Sequence, residues 1–210
     1  MKVTNEETVG KVLSSAAELF SEFGYHGASV RDITRKAGVN LAAMHYHFGD
    51  KQELYRATIV RYLRPINETR LRNLASAGEL AGGFPIPLAL VIEIFARPVF
   101  ELCDRHDPCS RHVLRLIGRS MLEPLSFLDE FLATELHPVT TRFSQAIRRH
   151  LPSLTPEEFM WRLNFVIGAL HHTLGTLHRM KELTHGLCRD CSGEVALRHF
   201  IRFAEKSLVD

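Results

Sequence analysis

Apolar positions in this chain recur every three or four residues and almost nowhere every second one. Val9, Val12, Leu13, Ala16, Phe20 and Phe23 set a first stripe, which predicts an amphipathic helix ended by Gly24. Val30, Ile33 and Ala37 set a second stripe behind Ser29, with Asp32 three residues on in capping-box spacing, and Gly38 stops it. Asn40 is an N-cap for a third, short helix reaching Tyr46 or His47, which Phe48-Gly49 breaks. Asp50 with Glu53 repeats the capping box and predicts a fourth helix to about Arg72.

The stretch from Gly78 to Pro85 reads as a Gly-rich connection. Helical spacing returns from Ile86 to about Leu102, breaks at His106-Asp107-Pro108, and resumes near 111–122 and 125–150. Pro138 is expected to kink or split the latter segment. Thr155-Pro156-Glu157-Glu158 combines an N-cap, Pro at N1 and Glu at N3, and opens a helix expected to reach about Leu183. A last helix is expected over 193–208. No run alternates as a strand does, so the expected fold class is all-α.

Composition narrows the class without deciding it. A chain of 210 residues with 45% hydrophobic and 24% charged residues can form one compact unit or two small ones. No apolar run approaches the roughly 20 residues of a membrane span, and MKVTNEETVGK lacks the apolar run of a leader. A cytoplasmic location with no membrane partner is the expectation. The net charge of +2 is uninformative, but between Arg31 and Arg72 nine Lys and Arg residues face four Asp and Glu residues. That local excess suits an anionic partner.

Two short helices, 29–37 and 40–47, joined by a turn that contains Gly38, form a helix-turn-helix arrangement at about 29–48. In such a pair the first helix braces across the phosphate backbone and the second enters the major groove. Val39 should tuck inward, while Ala42 and Ala43 are small enough for close approach to base edges.

The run SVRDITRKAGVNLAAMHYHFGDKQELY, preceded by Gly24-Tyr25-His26-Gly27, resembles the DNA-binding domain of the tetracycline-repressor (TetR) family over about sixty residues. Its NLAA-x-x-YHF form is similar to a subgroup typified by CecR. The resemblance implies a three-helix DNA-binding domain over 1–52 and a helical domain over 53–210 that binds a ligand and dimerises. It further implies a repressor that a small molecule releases from a double-stranded, pseudo-palindromic operator. By position, Lys51 and Tyr46 would hold phosphates, Tyr46 with access to a base edge, and His47 would be partly packed and partly phosphate-directed. Ser29 and Arg31 would be backbone contacts, and Asn40, Leu41, Ala42, Ala43 and His45 would read sequence. Asn40 departs from the usual Ser or Thr, and His45 from the usual Tyr.

Two further stripes, Leu163-Val166-Ile167-Leu170-Leu174-Leu177 and Val195-Leu197-Phe200-Ile201-Ala204, suit either a monomer core or a four-helix interface between two copies. The family implies the interface, hence a homodimer through the two C-terminal helices. An effector pocket could draw on Phe95, Phe100, Met121, Phe127, Phe131, Phe143 and Phe165, with Arg97, His171 and His172 as polar handles. Taken singly, each of these residues reads as core before it reads as a ligand contact. The effector expected is mainly apolar.

Other chemistry is thinly represented. The histidines lack the compact i, i+4 pairing of a zinc site, and His106 and His112 flank Cys109 without a second ligand set, so no metal is expected. Cys188-x-x-Cys191 has neither a thioredoxin-like setting nor a second pair; a thiol- or metal-responsive regulator is the alternative it leaves. An enzyme using His171 or His172 is a third reading, but no nucleophile motif, phosphate loop or carboxylate pair supports catalytic residues. No cofactor is expected.

Overall fold

The computed structural model describes residues 5–105 and 107–209, with the side chain of Pro108 left aside. His106, and the first four residues of the segment read for a leader, lie outside the described residues. Every regular element among them is helical: α1 (Asn5–Gly27), α2 (Val30–Ala37), α3 (Leu41–Phe48), α4 (Lys51–Leu80), α5 (Leu88–Asp104), α6 (Pro108–Leu122), α7 (Ser126–Arg148), α8 (Pro156–Thr176), a 3-10 turn (Leu177–Arg179), α9 (Met180–Leu183) and α10 (Gly193–Val209). No described helix is long and apolar enough to cross a membrane.

The expected starts are set by side-chain caps. Ser29, Asn40 and Thr155 each accept a hydrogen bond from the backbone N–H three residues on, and Asp50 does the same for Glu53 at 2.9 Å. Asp107 caps α6 through Ser110 N–H at 2.9 Å. Three stops differ from expectation. Helix α4 continues past Arg72 to Leu80 with Pro65 inside it, and α7 passes through Pro138 unsplit. Conversely α8 ends at Thr176 and tightens into the 3-10 turn, with α9 as a separate turn to Leu183.

Contacts divide the chain into two compact units, and not by a single cut after residue 52. The first comprises Met1–Pro65 and Asp107–Glu135; the second comprises Ile66–His106 and Leu136–Asp210. Helices α4 and α7 therefore contribute to both.

In the first unit Val12, Ala16, Phe20, Ile33, Met44 and Tyr55 have no exposed surface. Tyr55 meets Phe20 edge-on at 4.7 Å and Tyr25 at 5.3 Å, and Phe127 of α7 leans on Tyr25 at 4.8 Å. Helix α6 is tied to α1 by Ser21 Oγ and His112 Nδ1 at 3.0 Å, and by Tyr25 N–H donating to Glu123 Oε2 at 3.4 Å. Gly24 makes that approach feasible: its φ is +72°, and a Cβ there would lie 2.5 Å from both Arg119 Nη1 and Glu123 Oε1. The packed face of α1 turns toward Ser21 and Gly24 for this reason. Phe23, expected on the buried stripe, is consequently 52% exposed.

The second unit is built on Val91, Ala96, Phe100, Leu170, Leu197, Ala204 and Leu208. Asp104 accepts from the backbone N–H groups of Gly193 and Glu194 and so caps α10, while Arg97 bridges Glu93 and Glu194. Of the two stripes expected at a core or a dimer interface, Leu163, Val166, Leu170, Leu177, Leu197, Phe200 and Ala204 are buried within the one chain, while Ile167, Leu174, Val195 and Ile201 are half-buried. The large apolar side chains those helices leave in the open are Met160, Trp161, Phe165, Phe203 and Val209.

Candidate nucleic-acid interface and effector cavity

The helix-turn-helix is assembled from local chemistry. The Ser29 hydroxyl accepts from Asp32 N–H at 3.1 Å and donates to the Asp32 carboxylate. That hydrogen bond is the main reason the Asp32 carboxyl titrates below its usual range; desolvation opposes it and Arg35 assists. Ser29 is thus engaged as a cap. Arg31 is exposed and has no carboxylate partner among the described residues, whereas Arg35 and Lys36 are held by Asp32 and Glu18 at 2.6 and 2.8 Å. Gly38, at φ +67°, supplies the left-handed turn; its N–H reaches Arg35 O and Val39 N–H reaches Thr34 O. Val39 is half-buried.

On α3, Asn40 Oδ1 accepts from Ala43 N–H at 2.7 Å. Met44 is fully buried, while Leu41, Ala42, His45 and Tyr46 are exposed, Tyr46 at 83%. Ala43 and His47 are half-buried, and the rings of Tyr46 and His47 meet edge-on at 5.0 Å. The outward side of this eight-residue helix therefore collects most of the side chains expected to read bases. His45 has a second duty that the sequence reading missed: its Nδ1 donates to Gly49 O at 2.5 Å, closing the C-terminal turn and leaving Nε2 without a partner among the described residues. A histidine four residues before a helix-ending glycine is the signal that was available.

Lys51, at the first position of α4, rests its ammonium 4.6 Å from the centre of the Tyr25 ring. Partial burial there pushes its pKa down. Burial, then the neighbouring Asp50 charge, pushes the Tyr25 phenol up, against a hydrogen bond from Gln52. Tyr25 is the support that sequence reasoning did not assign to Lys51.

The residues expected to line one effector pocket do not converge. Phe95 and Phe143, 5.2 Å apart, line an apolar cavity of about 190 Å³ in the second unit with Ile92, Leu163, Val166 and Phe200. Phe100 is buried and tilted against Phe200 at 5.9 Å. Met121, Phe127 and Phe131 belong to the first unit, where Phe127 and Phe131 flank Arg56 at 5.5 and 5.8 Å. Phe165 is 62% exposed and stacked on Trp161, Arg97 is engaged in ion pairs, and His172 is exposed. His171 is half-buried, and burial followed by the Arg70 charge pushes its pKa down. A more open cavity of about 590 Å³ is lined by Leu71, Leu74, Pro138, Arg142 and Arg149. Arg70, read from sequence only as one of the basic run, is buried between α4 and α5. Cys188 and Cys191 are half-buried free thiols, that of Cys191 3.4 Å from Cys188 O. No group of three His, Cys, Asp or Glu among the described residues could hold a metal ion.

Two family models match. Residues 12–58 fit the model described as "Bacterial regulatory proteins, tetR family", and 93–205 fit "Tetracyclin repressor-like, C-terminal domain". The chain is 33% identical over 63 residues to the biofilm operon icaADBC negative transcriptional regulator IcaR of Staphylococcus epidermidis, covering 30% of this chain and 34% of that protein. It is 27% identical over 153 residues to the transcriptional dual regulator CecR of Shigella flexneri, covering 70% of this chain and 67% of that one. The match thus spans about a third of the first relative's length. Among solved structures, a putative tetR family transcription regulator from Shewanella sp. PV-4 superimposes with a TM-score of 0.64 at 15% identity, covering 96% of this chain and 95% of that one. An HlyIIR mutant protein gives 0.62 at 18% identity over 100% of both chains. At these identities the structures share the fold.

Proposed function

Because the chain belongs to the TetR family of DNA-binding transcriptional regulators, we propose that it is a cytoplasmic, homodimeric repressor that a small, mainly apolar effector releases from a pseudo-palindromic operator. The observation that carries the reading is α3: Asn40, Leu41, Ala42, His45 and Tyr46 stand exposed together on a helix anchored by a single fully buried side chain, Met44. In the major groove, Leu41 and Ala42 offer methyl contact to thymine, and Asn40 and His45 Nε2 offer polar contact to base edges. Ala43 allows close approach. Tyr46, His47, Arg31, the amides that follow Ser29 and Lys51 take phosphates. Lys51 has only to leave the Tyr25 ring to do so.

Repression is favoured by the IcaR relative, whose name describes a negative regulator. The second copy docks on the face that the core leaves uncovered, with Trp161 and Phe165 of α8 and Phe203 of α10 at its centre. The effector enters the second unit, where the apolar cavity beside Phe95 and Phe143 receives it, and shifts the dimer toward a half-site spacing that no longer fits DNA.

The test is an anisotropy titration against an operator selected from random duplexes, at two salt concentrations, for wild type and Lys51→Ala. Lys51→Ala should weaken binding by a similar factor on every sequence and lower the salt slope by about one. Absence of duplex binding at low salt would overturn the reading.

A further inference from the structure

Arg70 is buried, with only 6% of its surface exposed, yet none of the ion pairs among the described residues includes it. Its Nε donates to Phe95 O at 2.7 Å and its Nη1 to Asn67 Oδ1 at 3.0 Å. Both acceptors are neutral. Its carbon centre lies 4.1 Å from the centre of the Phe95 ring, a favourable stack that also leaves the charge uncompensated. A guanidinium has five N–H donors, and Nη2 makes no hydrogen bond among the described residues. Burial pulls the Arg70 pKa down to about 10, which still leaves it charged at neutral pH. A buried guanidinium with neutral acceptors, one nitrogen still free to donate and no counter-ion among the described residues is a state that an anion improves.

What surrounds Arg70 describes that anion. Burial, then the Arg70 charge, holds the His171 imidazole toward its neutral form, so it brings no second positive charge to this part of the unit. Phe95, which covers the guanidinium, is also a wall of the 190 Å³ apolar cavity. That volume is below the roughly 300–1,000 Å³ of drug-sized sites, so the apolar body it accepts is small. A single guanidinium balances one negative charge, and its planar fork matches a carboxylate in two parallel hydrogen bonds.

We propose that Arg70 is the head-group site for a small monocarboxylate whose apolar body fills the cavity behind Phe95. Asn67 positions the guanidinium by holding Nη1, and Phe95 must turn to connect head group and body. This rests on the second unit being the effector-binding part, and it replaces a purely apolar effector by an amphipathic anion.

The experiment measures the full-length protein without DNA, so its failure leaves the DNA-binding reading standing. Straight-chain carboxylates from butanoate to decanoate, and phenylacetate, are titrated by calorimetry and by thermal melting, each against its primary amide and against inorganic phosphate. Wild type should bind at least one carboxylate about tenfold or more tighter than its amide, with a raised Tm, and phosphate should give no rise. Arg70→Met should lose that preference and, freed of an uncompensated charge, melt no lower than wild type without ligand. Arg70→Lys, which keeps the charge but cannot serve Phe95 O, Asn67 and an anion together, should lose at least tenfold in carboxylate affinity. No carboxylate preference in wild type, a preference that survives either substitution, or a lower Tm for ligand-free Arg70→Met would each overturn the proposal.

Discussion

Asn40 carries two roles that single substitutions can separate. Its side chain caps α3 through Ala43 N–H, so Asn40→Ala should lower stability by about 1 kcal/mol in urea unfolding. Asn40→Ser restores the cap and should recover that stability, while still losing operator affinity if the amide reads a base. Recovery of both together would leave Asn40 as a cap alone. His171 sets a second expectation. Its folded pKa lies below the ordinary histidine value, so the unfolded chain binds more protons as pH falls through that ordinary value. The contribution is therefore fully present above it and is lost toward acid until folded His171 itself protonates. Urea midpoints measured from pH 8 to pH 5 should fall for wild type, and fall less steeply for His171→Gln. An equal slope in both would remove His171 as the cause.

Helix starts were readable because a cap is a contact within four residues: Ser29, Asn40, Asp50 and Thr155 each announce themselves without help from the rest of the chain. Helix α3 and its exposed side chains were readable for the same reason. Ends and faces were harder, since packing from distant elements decides them. Leu163 and Phe165 lie two residues apart on α8, and the spacing alone does not say that one is core and the other open; α10 does. Arg70 was hidden in a run of basic residues because enclosure by α5 cannot be seen in α4's own sequence. Pro138 worked the other way: a strong local signal that did not split the helix, because continuity on both sides outweighed it. Pro138 is exposed inside α7 and supplies no N–H to the helix. Pro138→Ala should accordingly raise unfolding stability, by up to about 3 kcal/mol, as a higher urea midpoint. A lower midpoint would show that the ring itself contributes to packing.

A homodimer is a property of the whole molecule, and its expected centre is the stacked pair Trp161 and Phe165, ring centres 5.8 Å apart. Phe165→Glu places a charge where the partner should bury an aromatic. Losing a central anchor of about 2 kcal/mol loosens association about thirtyfold. Sedimentation at micromolar concentration should then show monomer for Phe165→Glu and dimer for wild type, with circular dichroism unchanged. Dimer in both would move the interface elsewhere.

The division of the chain has its own consequence for how the protein comes into being. The first unit takes α1 to the middle of α4 and completes itself only with α6 and the start of α7. A nascent chain that has just released the residues of α3 from the ribosome holds a recognition helix without its support: Phe127 is not yet present to cover Tyr25, nor Glu123 to hold its N–H. The DNA-binding part of this protein is thus encoded early and finished late. A polypeptide truncated after α4 leaves the surfaces that α6 and the start of α7 cover open to solvent, so an interrupted message yields a chain for proteases to clear rather than a free-standing competitor for the operator.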